Sequence, residues 1–471
     1  MIRWLLIFAL ALPCRAATYY ISTSGSDGNS GTSGSPWASP NHAVNCGDVI
    51  MASSGTYSNA NFASGKWGTV TCSAGNNVAW LECATFDACK ISTTTGYGIL
   101  VSANYWGVQG WEITTSGSST GGCFVIQPPT STTSIHHIVF ANDIANTCAG
   151  GGFESVNDGN ASVDYIAFVG DIAYNAATGN SACYSGFSVY QPVATDSLPG
   201  THIYIAGSFA WSVLEGATCN GGVHGFDGNG FIFDTFDGDK GSLPATYKQQ
   251  AVMKNNIALS NGGSGFRAPY NNTNGAQWAN LYFVNNTAWN NNGDTSDYGN
   301  AVCGEFLFDV VNNVQATGNI AAAGNAYCNG DTSLPEYAWY VNQVNGTTHV
   351  YGNIGWSAAG NYTQATNATG FSYGPNNTFS ETLTFANPTT PGAPSCGSAT
   401  SVPNCVATII ANFTPATAAQ GYGYQTVSAA STYDPLFPQW LCNVNLPSGL
   451  VTPGCLIASA STGSVSGATI K

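Results

Sequence analysis

The chain has 471 residues, of which only 7% are charged, with a formal net charge of −15; 44% are hydrophobic and 12% aromatic. A chain this acidic lacks the basic footprint that nucleic-acid binding needs, while its apolar content suffices for a packed core and argues against disorder. Its 57 glycines and many Asn, Ser and Thr residues favour a turn-rich, all-β protein.

Residues 1–17 read as a secretory signal peptide. Arg3 gives the positive start, residues 4–12 the apolar stretch, and Ala16 or Ala17 the small residue for cleavage. The stretch is too short to cross a bilayer and no later apolar run is long enough, so a secreted, extracellular protein without a membrane span is expected. Of the 15 cysteines, Cys14 lies in the signal, which leaves an even number. In an exported chain these are expected to pair as disulfides. Cys72, Cys83 and Cys89 cluster near the start, and Cys396/Cys405 and Cys442/Cys455 near the end. No CxxC pair or Cys/His cluster has zinc-finger spacing.

Residues 18–115 read as an N-terminal cap with the first coils. Residues 37–44 predict a short helix covering the open end. Residues 116–390 repeat: 165–175, 203–211, 251–261, 281–290, 314–321 and 349–356 are each a short alternating strand, a polar turn and a second short strand. Asn142, Asp171, Ser208, Asn256, Asn286, Asn319 and Asn353 hold the turn, and are expected to form an internal ladder bonding backbone at a tight corner. The longest gap, from Ser208 to Asn256, is expected to hold an extra coil around residues 231–236. A further strand recurs between the copies, beginning at Phe153, Phe187, Phe231, Phe266, Phe306, Trp339 and Phe371. One such set per coil, stacked coil on coil, is a β-solenoid. Residues 391–471 lose the repeat and read as a disulfide-stapled C-terminal cap and tail, with Tyr433-Asp434-Pro435-Leu436-Phe437 lying over the last coil.

Period 2 assigns the faces of the recurring strand. The aromatic anchors and the positions two later are nearly all apolar and face inward. The positions one and three later then face solvent, and that strip holds Glu154, Asp234, Arg267 and Asp309, with Tyr190, Tyr340 and Tyr270 beside it. Past the signal Arg267 is the one arginine, set between Asp234 and Asp309 on neighbouring coils; its rigid fork suits a carboxylate, whether a neighbour's or a ligand's. As an outward side chain, its removal is expected to leave folding intact. The loop at residues 225–241 adds Asp227, Asp237 and Asp239 to Asp234, with Lys240 beside them and His224 and Glu215 as accessory candidates. Carboxylates this dense repel one another unless a cation sits among them, and hard oxygen donors point to Ca²⁺. His136 and His137 read as surface or packing residues.

The opening Tyr19-Tyr20-Ile21-Ser22 with its Gly-Ser-Asp-Gly-Asn run, Gly47-Asp48-Val49-Ile50, the Asn-Asn-Ile-Ala and Asn-Asn-Thr-Ala copies and Asp434-Pro435-Leu436-Phe437 together resemble the pectate-lyase-like superfamily. The resemblance spans most of residues 18–440 and implies a right-handed parallel β-helix. It leaves activity open, because lyases, glycoside hydrolases, epimerases and inert shafts share the fold. Among β-helix lyases, it implies a Lys or Arg beside a calcium site as the proton acceptor.

Three functions follow as expectations. The first is a polysaccharide lyase acting on an acidic, uronic-acid-containing polymer by calcium-assisted β-elimination. Arg267, Lys240, Asp234 and Asp309 would be catalytic; Glu154, Tyr190, Tyr270 and His224 would bind substrate; Asp227, Asp234, Asp237 and Asp239 would hold Ca²⁺. The second is an inverting glycoside hydrolase using Asp234 and Asp309. The third is a non-catalytic carbohydrate-binding or adhesin-like shaft. The protein is read as a monomer.

Overall fold

The structure is a computed structural model that describes residues 16–72, 78–117, 121–157, 159, 161–222, 226–236, 247–269, 280–294, 303–309, 311–328, 332–344, 347–379, 383, 385–415, 422–425, 434–444 and 446. The signal-peptide expectation therefore lies almost entirely outside the described residues.

Alternating short strands of Val, Ile and Phe cannot bury a face alone, so each coil covers the next. Three parallel sheets result. The first has eleven strands from Thr18–Ile21 to His349–Val350, the second eleven from Gly55–Tyr57 to Thr378–Phe379, and the third nine from Ile99–Val101 to Thr363–Thr366. Strands within each sheet pair with those one coil before and after. The chain is thus a right-handed parallel β-helix, the hand that parallel crossovers adopt.

The first and second sheets meet at a two-residue corner. Its first residue is left-handed: Asn142 (φ 62°), Gly170 (69°), Gly207 (62°), Asn255 (54°), Asn285 (53°), Gly318 (69°) and Gly352 (62°), residue types that tolerate that region. The second residue points inward and accepts from the backbone of the preceding coil. Asp143 N–H donates to Asp171 Oδ1 at 2.8 Å, Asp171 N–H to Ser208 Oγ at 3.2 Å and Ser208 N–H to Asn256 Oδ1 at 3.0 Å; Asn286, Asn319, Asn353 and Asn377 continue the series. The ladder member at the first of these corners is Asp143, not Asn142, because the left-handed residue comes first. Burial, and for Asp171 the neighbouring Asp143 as well, pushes both carboxyls well above the usual range.

The third sheet carries an aromatic spine along the core. Phe124, Phe153, Phe187, Phe231, Phe266, Phe306 and Trp339 are in register, and their rings stack at 4.7, 4.8, 4.6, 5.0, 4.8 and 4.3 Å. The spacing of coils matches ring stacking, so each ring is both filler and ruler.

Four expectations need correction. Thr201–Ala206 pairs directly with Gln250–Lys254 and Phe209–Trp211 with Ile257–Leu259, so no extra coil exists there; Phe231–Asp234 is that coil's own third strand. The last partner in the third sheet is Thr363–Thr366, aligned with Trp339; Phe371 is not in a strand. Residues 37–44 are not helical: Pro40 interrupts them, Asp27 accepts from the backbone of Ala38 and Ser39 at 3.0 and 2.9 Å, and Trp37 is stacked between Tyr19 and His42. Residues 434–446 do not cover the last coil. They cross the outer face of the first sheet, where Phe437, Trp440, Leu441 and Val444 pack on Val139, Tyr165, Tyr204 and Val252.

The second sheet's outer face is covered likewise: Val402, Val406 and Phe413, in and beside the helices Val402–Cys405 and Ala407–Asn412, pack on Ile172, Phe209, Ile257 and Ile320. Disulfides join Cys46–Cys72, Cys83–Cys89, Cys123–Cys148, Cys183–Cys219, Cys303–Cys328 and Cys396–Cys405, and Cys442 is also disulfide-bonded. Among the described residues, no helix is long and apolar enough to cross a membrane. His137, with Tyr105, Tyr165 and His202, forms a ring stack on the first sheet, closed at one side by Trp440.

Candidate functional site

The C-terminal segments cover part of the outer faces of the first two sheets, and the sequence-derived candidates lie on the outer face of the third. Strand register places Glu154, Ser188, Ile232, Arg267, Leu307 and Tyr340 in one outward row. Val156, Tyr190, Asp234, Asp309 and Asn342 form the second. Period-2 reading of the strands thus gives the right side chain at each position, but the two rows differ in depth. The second row is partly exposed throughout. The first is mostly roofed: Glu154 is 2% and Arg267 3% exposed.

Arg267 therefore corrects the expectation of a solvent-facing arginine. It points outward from the sheet, yet residues 226–229 fold back over it. Nη1 donates to the Phe226 carbonyl, and the Phe226 ring lies 6.0 Å from the guanidinium carbon. Four carboxylates gather around this cation. Asp227 N–H donates to Glu215 Oε2 at 3.2 Å. Burial pushes the Asp227 carboxyl up to about 7, Asp234 and Glu215 adding their charge and Arg267 pulling the other way. Burial also raises Asp309, against the pull of Arg267 and of a 2.8 Å hydrogen bond from Asn342. Asp234 accepts from the Thr235 hydroxyl at 2.8 Å. Strands holding Asp234 and Asp309 lie two coils apart, which places the two carboxylates roughly 9–10 Å from each other.

The structure brings together Asp227, Asp234, Arg267 and Asp309 from the sequence-derived set. Glu154 is drawn away from ligand contact: it is buried and accepts from Gly151 N–H. Tyr190 lies in the partly exposed row, one coil before Asp234. Lys240, Asp237, Asp239, His224 and Tyr270 lie outside the described residues. Glu215, 5% exposed, and Asn342 join the site; Asn342 is legible as an outward position of its strand, and Glu215, an accessory candidate in the sequence, sits in a loop with no period to mark it.

Burial, with Asp234 and Glu215 nearby, favours the protonated Asp227 carboxyl, but among the described residues Glu215, Asp227 and Asp234 do not bring three oxygens within reach of one ion. Asp227 also lies beside Cys183 and Cys219, but those sulfurs are joined to each other and offer no thiolate.

No family model matches the chain, and no curated protein matches it. Solved structures similar to it include pectate lyase Pel9A, at 18% identity and a TM-score of 0.40, covering 75% of this chain and 78% of that one. A rhamnogalacturonan lyase is similar at 15% identity and a TM-score of 0.35, covering 77% and 87%. The A-module of the mannuronan C-5 epimerase AlgE6 of Azotobacter vinelandii is similar at 13% identity and a TM-score of 0.34, covering 70% and 88%. The likeness is one of fold.

Proposed function

We propose that this protein is a secreted polysaccharide lyase that cleaves a uronic-acid-containing polymer by β-elimination, with Asp227 and Asp234, joined by Asp237 and Asp239, holding Ca²⁺. The observation that carries the reading is the crowding of Glu215, Asp227 and Asp234 beside a buried arginine on the third sheet's outer face. When bound, calcium supplies neutralisation of the uronate carboxylate, which acidifies the adjacent C5–H. A base then takes the C5 proton; the C–H electron pair becomes the C4=C5 double bond and the glycosidic oxygen leaves C4. Lys240 is the proposed base, because a Lys ammonium loses its proton far more readily than a guanidinium. Arg267, roofed by Phe226, is a positioning residue: it holds the 226–229 loop and balances Asp227 and Asp309. Asp309, raised by burial, is proposed to return a proton to the departing oxygen. Tyr190, Tyr270 and His224 are proposed to line the polymer's path.

A second reading is favoured by one observation: a carboxyl with raised affinity for its proton, Asp309, shares a partly exposed row with Asp234 two coils away. That is the arrangement of an inverting glycoside hydrolase, near the upper limit of its carboxylate spacing. Incubation with polygalacturonate, alginate and glucuronan, with and without chelator, separates the two. New ultraviolet absorbance from a conjugated double bond, lost on chelation, supports the lyase. Reducing ends without that absorbance, insensitive to chelator, support the hydrolase. Neither signal on any polymer leaves a non-catalytic shaft.

A further inference from the structure

Phe226 is 39% and Leu214 41% exposed, two of the few large apolar side chains on the surface. They flank the acidic pair: Leu214 precedes Glu215 and Phe226 precedes Asp227, whose N–H binds Glu215. Gly228 and Leu214 are in backbone contact, since a Cβ added at Gly228 would meet the Leu214 carbonyl at 2.9 Å. Scattered exposed apolar residues need no explanation, but Phe226 differs in how firmly it is held. Its carbonyl accepts from Arg267 and from Asn229 Nδ2 at 3.2 Å, side chains 3% and 0% exposed. The following turn is tied on both sides: Gly228 N–H donates to the Tyr184 carbonyl at 2.8 Å, Gly263 N–H to the Gly228 carbonyl at 2.9 Å, and Ser264 N–H to Asn229 Oδ1 at 3.0 Å. One face of the ring lies over a guanidinium, so a cation supports it from below.

We propose that Phe226 is a sugar-stacking platform, which receives the apolar C–H face of a pyranose ring of the polymer next to the Glu215–Asp227–Asp234 group, with Leu214 as its aliphatic rim. This rests on the carbohydrate reading above and adds the specificity element that reading lacks. A rigid exposed aromatic loses little freedom on binding, so its contact area is realised as affinity. It also gives Arg267 its purpose: a fork that fixes the platform's backbone while its charge sits under the ring. Sugars whose rings present an uninterrupted axial C–H face are the class favoured.

The test compares wild type, Phe226→Ala and Phe226→Trp on the uronan that shows activity, with oligosaccharides of that uronan titrated separately for binding. Phe226→Ala should raise KM and oligosaccharide Kd by about three- to tenfold with kcat within about twofold, a size fitting one ring contact. Phe226→Trp should restore both. Melting temperature should fall by no more than a few degrees, since the ring's outer face covers nothing and its inner face makes one cation–π contact with Arg267. Unchanged KM and Kd in Phe226→Ala, or a lowered melting temperature with kcat falling alongside, would overturn the platform while leaving the carbohydrate reading intact. A wild-type protein that neither binds nor cleaves any glycan overturns both.

Discussion

Replacing Arg267 with Ala tests the difference between an outward and an accessible side chain. A solvent-facing arginine would cost within about 0.5 kcal/mol. At 3% exposure the cost is of another order. The Phe226 carbonyl loses a hydrogen bond from a charged donor, worth about 1.5–3 kcal/mol, and keeps only Asn229. Asp227 loses the cation that opposes the burial of its charge, and Asp309 is left with its hydrogen bond from Asn342. Breaking a buried pair by removing one partner costs about 3–5 kcal/mol, and we expect Arg267→Ala to fall in that range. The loss should depend on pH. With the cation gone Asp227 holds its proton more tightly still, so the penalty is smaller near about pH 5, where that carboxyl is largely protonated, than near about pH 8, where more of its charge must be buried without the cation. Urea unfolding followed by circular dichroism at both pH values measures it. A change under about 0.5 kcal/mol at both would refute the buried-cation account.

Three further outcomes are expected. Burial raises Glu305 to about 8 and Glu336 well above the usual range; Asn291 donates to Glu305, Asn292 to Glu336, and the two carboxyls are hydrogen-bonded to each other. Stability contributed by these protons is complete below the unfolded carboxyl range and is lost as pH rises through the folded values. Melting temperature should therefore fall between about pH 5 and pH 9, with slopes up to about 1.4 kcal/mol per pH unit per proton, and Glu336→Gln should flatten the fall. Asn319→Ala should cost about 2–4 kcal/mol, because Asn286 N–H and the Phe283 carbonyl lose partners inside the core; a denaturation midpoint equal to wild type would contradict the ladder's role. Asp309→Asn should abolish turnover with little change in oligosaccharide Kd, and retained turnover would remove Asp309 from the chemistry.

Much of the fold was legible because a β-helix is written in local patterns. Phe153, Phe187, Phe231, Phe266 and Phe306 share a period and a face, and the strands align on those residues. The corner was misplaced by one at Asn142, since an Asn fits both the left-handed and the inward position and only neighbouring glycines, such as Gly170 and Gly207, distinguish them. The site was legible in direction and not in depth. Alternation says that Arg267 leaves the core, but what covers it comes from residues 226–229, which belong to no strand. Glu215 reads from sequence as no more than an accessory to the acidic loop for the same reason, and Glu154, though correctly outward, is buried and accepts from Gly151.

The first corner never changes length, yet successive ladder residues are 28, 37, 48, 30, 33, 34 and 24 positions apart. An insertion at the ladder would displace a buried side chain that serves two coils, so it is filtered out. Additions are tolerated only at the other two corners, and those border the third sheet. Evolution can therefore lengthen this chain almost solely where the walls of the charged strip are built. The scaffold channels insertions and deletions into the surroundings of the charged strip, so related chains can diverge in what they accept while the ladder beneath stays the same.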